Sequence, residues 1–303
     1  MRRLFLSVFA CLIACCLVSP SAAQVAVTDL ASILQKAAYR RVEYVEAFKN
    51  ITAVETKTTE IFDKNGKPDK QKKVVSDFFV YQLVNDAGIV NEYRITREVD
   101  GKPIRKGDKQ AAKLFESLAK TKNSKQEFER LREENLKYSL GYYRWGITLQ
   151  PASALRSDMQ PAYVFELAGK EKRNGRDVWI VAYKSKRGSA STSNLLKHFT
   201  YPVIGERGRI WLDSEDFQIW RWEGEETVTD MDIASPVVYM RDEIDYEASA
   251  FGVLVPKSIV TSFFDKKESD KESVRLAGRI TYSYTGFTRF SVSTESEIQA
   301  PRN

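Results

Sequence analysis

The chain holds one histidine, His198, and its three cysteines, Cys11, Cys15 and Cys16, all fall within the first 16 residues. A Ser-His-Asp centre would have to use that single imidazole, and no Gly-x-Ser-x-Gly elbow offers it a serine. A zinc site would lack its usual nitrogen and sulfur ligands. Carboxylates are plentiful: Glu223, Glu225 and Glu226, then Asp230 and Asp232, then Asp242, Glu243, Asp245 and Glu247. Two carboxylates about 5 to 9.5 Å apart suffice for glycoside hydrolysis, but these match no motif and read as the solvent side of alternating strands. Asp230-Met231-Asp232 lacks the glycine and distal glutamate of a calcium loop. Gly205-Glu206-Arg207-Gly208 opens no helix that could cradle a phosphate. No cofactor, metal or enzymatic activity is expected.

The remaining chemistry is apolar. In the hairpin around Gly208-Arg209-Ile210-Trp211-Leu212-Asp213, Phe217 and Ile219 alternate with Trp220 and Trp222, so both faces carry large apolar side chains. Half-buried antiparallel strands are normally apolar on one face only. Phe78, Phe79, Val80 and Tyr81 repeat the pattern. Either both faces are covered by packing, or one lines a cavity for an apolar ligand. The second reading nominates Phe79, Tyr81, Trp211, Trp220 and Trp222 as lining residues.

These residues need a framework. Residues 28–48 predict an amphipathic helix, with Thr28 as cap and Leu30, Ile33, Leu34, Ala37, Ala38, Val42, Val45 and Phe48 as its stripe. The period then changes to two over residues 52–62 and 74–84, around Asn65-Gly66, and the same Asx-Gly device recurs at Asp100-Gly101 and Asn174-Gly175. Such pairs tolerate positive φ and predict tight antiparallel reversals. Residues 108–138 predict one or two helices, and from residue 208 five further strands follow as a meander. The expected fold is α+β: a large curved antiparallel sheet of nine or ten strands, an unclosed β-barrel, with helices packed on its concave face.

Met1-Arg2-Arg3, the apolar stretch to Val18 and Ser21-Ala22-Ala23 form a secretory signal pattern, with cleavage expected after Ala23. Leu12-Ile13-Ala14-Cys15 also fits a lipobox, which would make the protein a lipoprotein anchored through Cys15; the small residues before Gln24 favour cleavage. Loss of Arg2 and Arg3 lowers the basic count from 47 to 45 against 41 acidic residues, a formal charge of +4. Residues 105–137 carry that whole excess, ten basic against six acidic. This segment could touch an anionic membrane surface in passing, or simply be a solvated helix face. A cysteine-free exported chain fits a bacterial periplasm, and export disfavours nucleic acid as a partner. Residues 24–303 are expected to form a single β domain with a helical insertion at about 106–140.

The order of parts, with the Gly208-Arg209-Ile210-Trp211-Leu212-Asp213 hairpin and the later run of Tyr246, Phe251, Gly252 and Pro256, resembles the periplasmic lipoprotein-carrier and lipoprotein-sorting family. The turn Val99-Asp100-Gly101-Lys102-Pro103-Ile104, followed by Leu114-Phe115, is similar to a set of secreted bacterial proteins with no assigned activity. The resemblance implies an unclosed barrel, lidded by helices, that shelters acyl chains. Lipid or an acylated lipoprotein is then the expected partner, held without catalysis. A filled-core structural or interaction module of the envelope is the alternative.

Overall fold

The computed structural model describes residues 21–49, 51–82, 90–104, 124–144, 146–149, 152–186, 203–228, 236–250, 252–267 and 270–289. Among the described residues two α-helices, α1 (Ser21–Phe48) and α2 (Ser124–Leu136), accompany eleven strands. These are β1 (Ile51–Phe62), β2 (Pro68–Gln82), β3 (Val90–Val99), β4 (Lys102–Pro103), β5 (Tyr163–Arg173), β6 (Arg176–Ser185), β7 (Val203–Asp213), β8 (Ile219–Val228), β9 (Val237–Ala248), β10 (Leu254–Lys267) and β11 (Asp270–Arg289). All lie in one sheet, ordered β4-β3-β2-β1-β11-β10-β9-β8-β7-β6-β5, and every pair is antiparallel. The chain runs outward from β1 to β4, crosses to the far edge through α2, and meanders back until β11 lies beside β1. β4 and β5 do not pair, so the sheet is unclosed. Among the described residues no helix is long and apolar enough to cross a membrane.

The reversals follow their local chemistry. Asp100 (φ 50°) with Gly101 (φ 77°), and Asn174 (φ 50°) with Gly175 (φ 80°), place both turn residues in the left-handed region, as a two-residue type I′ turn requires. At the β1–β2 turn the Asp63 carboxylate accepts the backbone N–H of Asn65 at 2.8 Å and of Lys67 at 2.9 Å, which closes the loop around Gly66. The free edges are blunted. β4 has two residues, and β5 presents Glu166, Lys170, Glu171 and Lys172 along its length, which discourages further strand pairing.

The helix α1 lays Ile33, Leu34, Ala37 and Ala38 against the core. Val42, expected in that stripe, is 57 % exposed. At 100° per residue it stands about 80° round from Leu34, on the flank rather than the face. The α2 helix buries Leu131 and Asn135, whose Nδ2 donates to the Arg94 carbonyl of β3 at 3.0 Å. Its described residues carry three basic side chains (Lys125, Arg130, Arg132) against four acidic ones (Glu127, Glu129, Glu133, Glu134). The basic excess therefore sits on residues 105–122, which lie outside the described residues, as do residues 1–20 of the leader, His198, Asp230 and Asp232.

Between α2 and β5 runs an irregular strap, residues 139–149, followed by two 3₁₀ turns, Ser153–Leu155 and Gln160–Ala162. Tyr142 of the strap packs on Phe263 with ring centroids 4.7 Å apart. It occupies the space above Gly278, where an added Cβ would stand 2.5 Å from the ring. Gly278→Ala should displace Tyr142 and cost about 1–3 kcal/mol of stability. A lowered urea midpoint with an unchanged slope is the expected result.

Candidate functional site

Strand registers define a single row of neighbours across eight strands, buried except at half-buried Leu167 on the edge strand β5. Lys57 lies opposite Tyr282, then in turn follow Ile259, Ile244, Trp222, Ile210, Val181 and Leu167. Seven of these eight side chains are apolar or aromatic, and Ile259, Ile244, Ile210 and Val181 are fully buried. Alternation puts them on one face. No second sheet covers that face among the described residues. Its cover is α1, the strap and the 3₁₀ turns, whose Ala154 and Leu155 are also fully buried.

Two buried polar clusters fasten this roof. In the first, Arg94 Nε donates to both Glu55 oxygens at 2.7 and 2.9 Å, and Nη2 to Glu92 at 3.1 Å. The other Glu92 oxygen accepts the backbone N–H of Thr148 at 2.7 Å and of Leu149 at 3.1 Å, and also the Thr148 hydroxyl. A carboxylate on β3 thus pins the strap. Burial opposes the charge on Arg94, but Glu55 and Glu92 outweigh it and hold its pKa well above the ordinary value. Lys57, beside them, has only partial compensation from Glu55, and burial pulls it down to about 8.

In the second cluster, Arg144 of the strap reaches the sheet. Its Nη2 donates to Asp242 at 2.7 Å and to Glu226 at 3.2 Å. Thr261 donates to the other Asp242 oxygen at 2.6 Å, and Tyr239 donates to Glu226. Glu206 lies directly opposite Glu226 across β7 and β8 and accepts the hydroxyls of Tyr163 at 2.8 Å and Tyr183 at 2.9 Å. Burial, the largest cause, pushes both glutamates above the ordinary carboxylate value; each other's or Asp242's negative charge adds, while Arg144 and the tyrosine hydroxyls oppose. Glu206 and Glu226 therefore hold their protons more tightly than a free glutamate does.

Near α1 the roof leaves a crevice of about 40 Å³, lined by Arg41, Tyr44, Phe217, Ile219, Tyr246 and Leu254 among others. Tyr44 spans it, donating to the strap carbonyl of Thr148 at 2.8 Å and standing edge-on to Tyr246 at 6.2 Å. A larger groove of about 590 Å³ lies along β5–β9 and is charged, with Lys184, Arg207, Arg209 and Arg241 interleaved with Glu166, Glu223, Glu225 and Glu243.

The nominated apolar residues are separated by this arrangement. Trp220 and Trp222 are 8 % and 4 % exposed, and each indole N–H is bonded, to Asp213 at 3.1 Å and to Tyr183 at 2.9 Å. Trp211 pairs with Arg221, on the face opposite Trp222, and Arg221 lies over its ring at 5.6 Å. Phe79 stacks on Tyr93 at 5.5 Å, and the side chain of Tyr81 lies outside the described residues. Phe79, Trp211, Trp220 and Trp222 line neither the crevice nor the groove. Sequence reasoning missed Arg144, Glu206, Glu226, Glu92 and Arg94, since a charge in an alternating strand reads as solvent-facing. Arg41 carried a signal: it falls at i+7 from Leu34 and i+4 from Ala37, inside the apolar stripe.

No family model matches the chain, and no curated protein matches it as a relative. Solved structures give remote likenesses. A DUF1329 family protein from Desulfovibrio piger has a TM-score of 0.39 at 10 % identity, covering 86 % of this chain and 92 % of its own. A LolA superfamily protein from Nitrosomonas europaea has 0.36 at 10 %, covering 87 % and 94 %. An outer membrane lipoprotein-sorting protein domain from Vibrio parahaemolyticus has 0.35 at 11 %, covering 84 % and 91 %. The chain is remotely similar to lipoprotein-sorting proteins. This is the class that the hairpin at residues 208–213 resembles in sequence; similarity at this level bears on neither ligand nor activity.

The raised glutamates give a signed pH dependence. A folded-state pKa above the unfolded value contributes stability that is fully present below the unfolded pKa and is lost as pH rises through the raised value. Glu206→Gln keeps an acceptor oxygen for the Tyr183 hydroxyl, presents an amide N–H that the Tyr163 hydroxyl can accept by rotating, and removes the charge. It should therefore be more stable than wild type at about pH 8, with the difference vanishing below about pH 4. Urea titrations across that range check it, and a variant weakened equally at all pH values would refute the account.

Proposed function

We propose that this chain is a non-enzymatic binding protein for lipid or for the acyl chains of lipoproteins, exported to the bacterial periplasm. The observation that supports this reading is the row of side chains, apolar across the seven strands β5 to β11, roofed by one helix and an irregular strap with no second sheet among the described residues. The polar fastenings of this cover are discrete: Glu92 and Arg144 hold the strap, the Tyr44 hydroxyl joins α1 to it, and α1 is also bonded through Arg40 to the Asp216 carbonyl, from Gln160 to the Leu34 carbonyl and from Arg289 to the Ala47 carbonyl. The crevice under α1, about 40 Å³, is too small for an acyl chain. Loading would require α1 to lift from the sheet. Each methylene then buried contributes about 0.8 kcal/mol, so one chain provides affinity without a catalytic or coordinating group.

The single β domain of residues 24–303 serves as the container in this reading. The basic residues of 105–122 would meet an anionic membrane surface during transfer, and retention of Cys15 as a lipidated N-terminus would keep the container at that membrane. Phe79, Tyr81, Trp211, Trp220 and Trp222 remain proposed apolar determinants. Trp220 and Trp222 act from within the roofed face, where a lifted α1 would uncover them.

A second reading, a filled-core interaction module of the envelope, is favoured by the closed packing and bonded indole N–H groups of those two tryptophans. Lipid uptake separates the two. Protein purified without detergent from a bacterial periplasm should yield about one acyl chain per molecule on organic extraction and mass spectrometry. Tyr44→Phe removes the fastening between α1 and the strap with little change of volume, a loss of about 1 kcal/mol. It should speed uptake of a fluorescent fatty acid by about fivefold. An empty protein whose wild type and variant both refuse the fatty acid would leave the interaction module standing.

A further inference from the structure

The crevice beneath α1 contains a cation with no partner. Arg41 points from the buried stripe of α1, and among the described residues it makes no hydrogen bond and no ion pair. Its Nε is buried and unsatisfied. The neighbouring charges are already committed. Glu43 is bonded to Arg40 at 2.5 Å, and Asp158 to Arg156 at 3.0 and 2.5 Å. Across the crevice the Tyr246 hydroxyl is likewise buried without a partner. Burial depresses the pKa of Arg41, and the nearby charge of Arg156 adds to that effect. Arg41 as a whole is half-buried, and it is the Nε edge of its guanidinium that is withdrawn from water without an acceptor, a cost that an anion reaching that edge would offset.

The walls restrict what that anion is attached to. Tyr44, Phe217, Ile219, Tyr246 and Leu254 give the crevice aromatic and aliphatic surface, beside the Arg40–Glu43 ion pair and Gln218, which also line it. Beyond Tyr44 the ring series continues inward to Phe48 at 4.8 Å and on to Phe287 at 6.2 Å from Phe48. The floor is held in place: Gln218 accepts the Leu254 N–H at 3.0 Å, tying the β7–β8 turn to the start of β10. Phe217 sits at φ 61°, a left-handed conformation that a bulky residue adopts only when its surroundings enforce it, and Lys36 of α1 covers its ring at 4.8 Å. A volume of about 40 Å³ accommodates a carboxylate or a similar small anionic group but no chain.

We infer that Arg41, with the Tyr246 hydroxyl, is a subsite for the anionic headgroup of a single-chain amphiphile, whose hydrocarbon runs inward beneath α1 toward Phe48. This inference rests on the lipid-binding reading and adds the headgroup chemistry to it. The guanidinium supplies two or more donors in a plane that matches a carboxylate or phosphate, and the tyrosine hydroxyl donates a further bond.

The test compares dodecanoate with dodecanol, which share a chain and differ in charge, by displacement of the neutral dye N-phenyl-1-naphthylamine. A hydrogen-bonded charge at a sheltered site should favour dodecanoate over dodecanol by about tenfold, or about 1.4 kcal/mol. Arg41→Met should reduce that preference to within about twofold and leave dodecanol binding unchanged, whereas Arg41→Lys should retain most of it. Equal affinity of the wild type for both compounds, or an equal loss of both in Arg41→Met, would overturn the subsite and leave lipid binding intact. Failure of both compounds to bind wild type would overturn lipid binding and the subsite together. If inorganic phosphate displaces dodecanoate at comparable concentration, the site belongs to free anions and the amphiphile assignment fails. Should Arg41→Met not fold, methyl dodecanoate against dodecanoate on wild type decides the same question.

Discussion

A sheet face whose central row is apolar across seven strands must be covered, and among the described residues few do the covering. Sheet-on-sheet packing would supply a continuous second layer. Here α1, the strap and two short 3₁₀ turns perform that task. The rest of the structure follows from this shortage. Small residues on α1, Ala37 and Ala38, allow the helix to approach closely, and Tyr142 fills the space that Gly278 leaves open. Irregular backbone in the strap finds its partners in sheet side chains, since it has no neighbouring strand of its own.

Those partners are charged, which is an unusual way to build an interior. Glu92 receives two backbone N–H groups, and Arg144 inserts between Asp242 and Glu226. Buried ion pairs seldom add net stability compared with well-packed hydrophobic residues, but breaking one is expensive. They fix the place where the strap lands, and that placement determines how α1 lies on it through Tyr44.

The buried arginines differ in a way that matters for function. Arg94 and Arg144 each meet two carboxylates and serve structure. Arg41 meets none, beside a crevice with apolar walls. Local chemistry alone would rank the three alike. Their assignments rest on which opposite charges remain free nearby, and at Arg41 these are already paired with other residues.

Much of the framework was legible in the linear sequence. Period-two alternation and the pairs Asn65-Gly66, Asp100-Gly101 and Asn174-Gly175 marked the hairpins, because backbone conformation at a tight reversal is restricted by the residues in it. The stripe on α1 marked its buried side, except at Val42 on the flank. Pairing of β1 with β11, 219 residues apart from Ile51 to Asp270, was not legible, and neither was the landing of Arg144 on β8 and β9. Alternation tells which side chains share a face of a strand but not which face will be roofed, so Glu226 and Asp242 looked like solvent positions, and Trp220 and Trp222 fitted packing and a cavity wall alike. Only the tertiary structure decided this, because burial of a strand residue depends on what a distant segment lays over it, and that contact leaves no periodic trace in either segment.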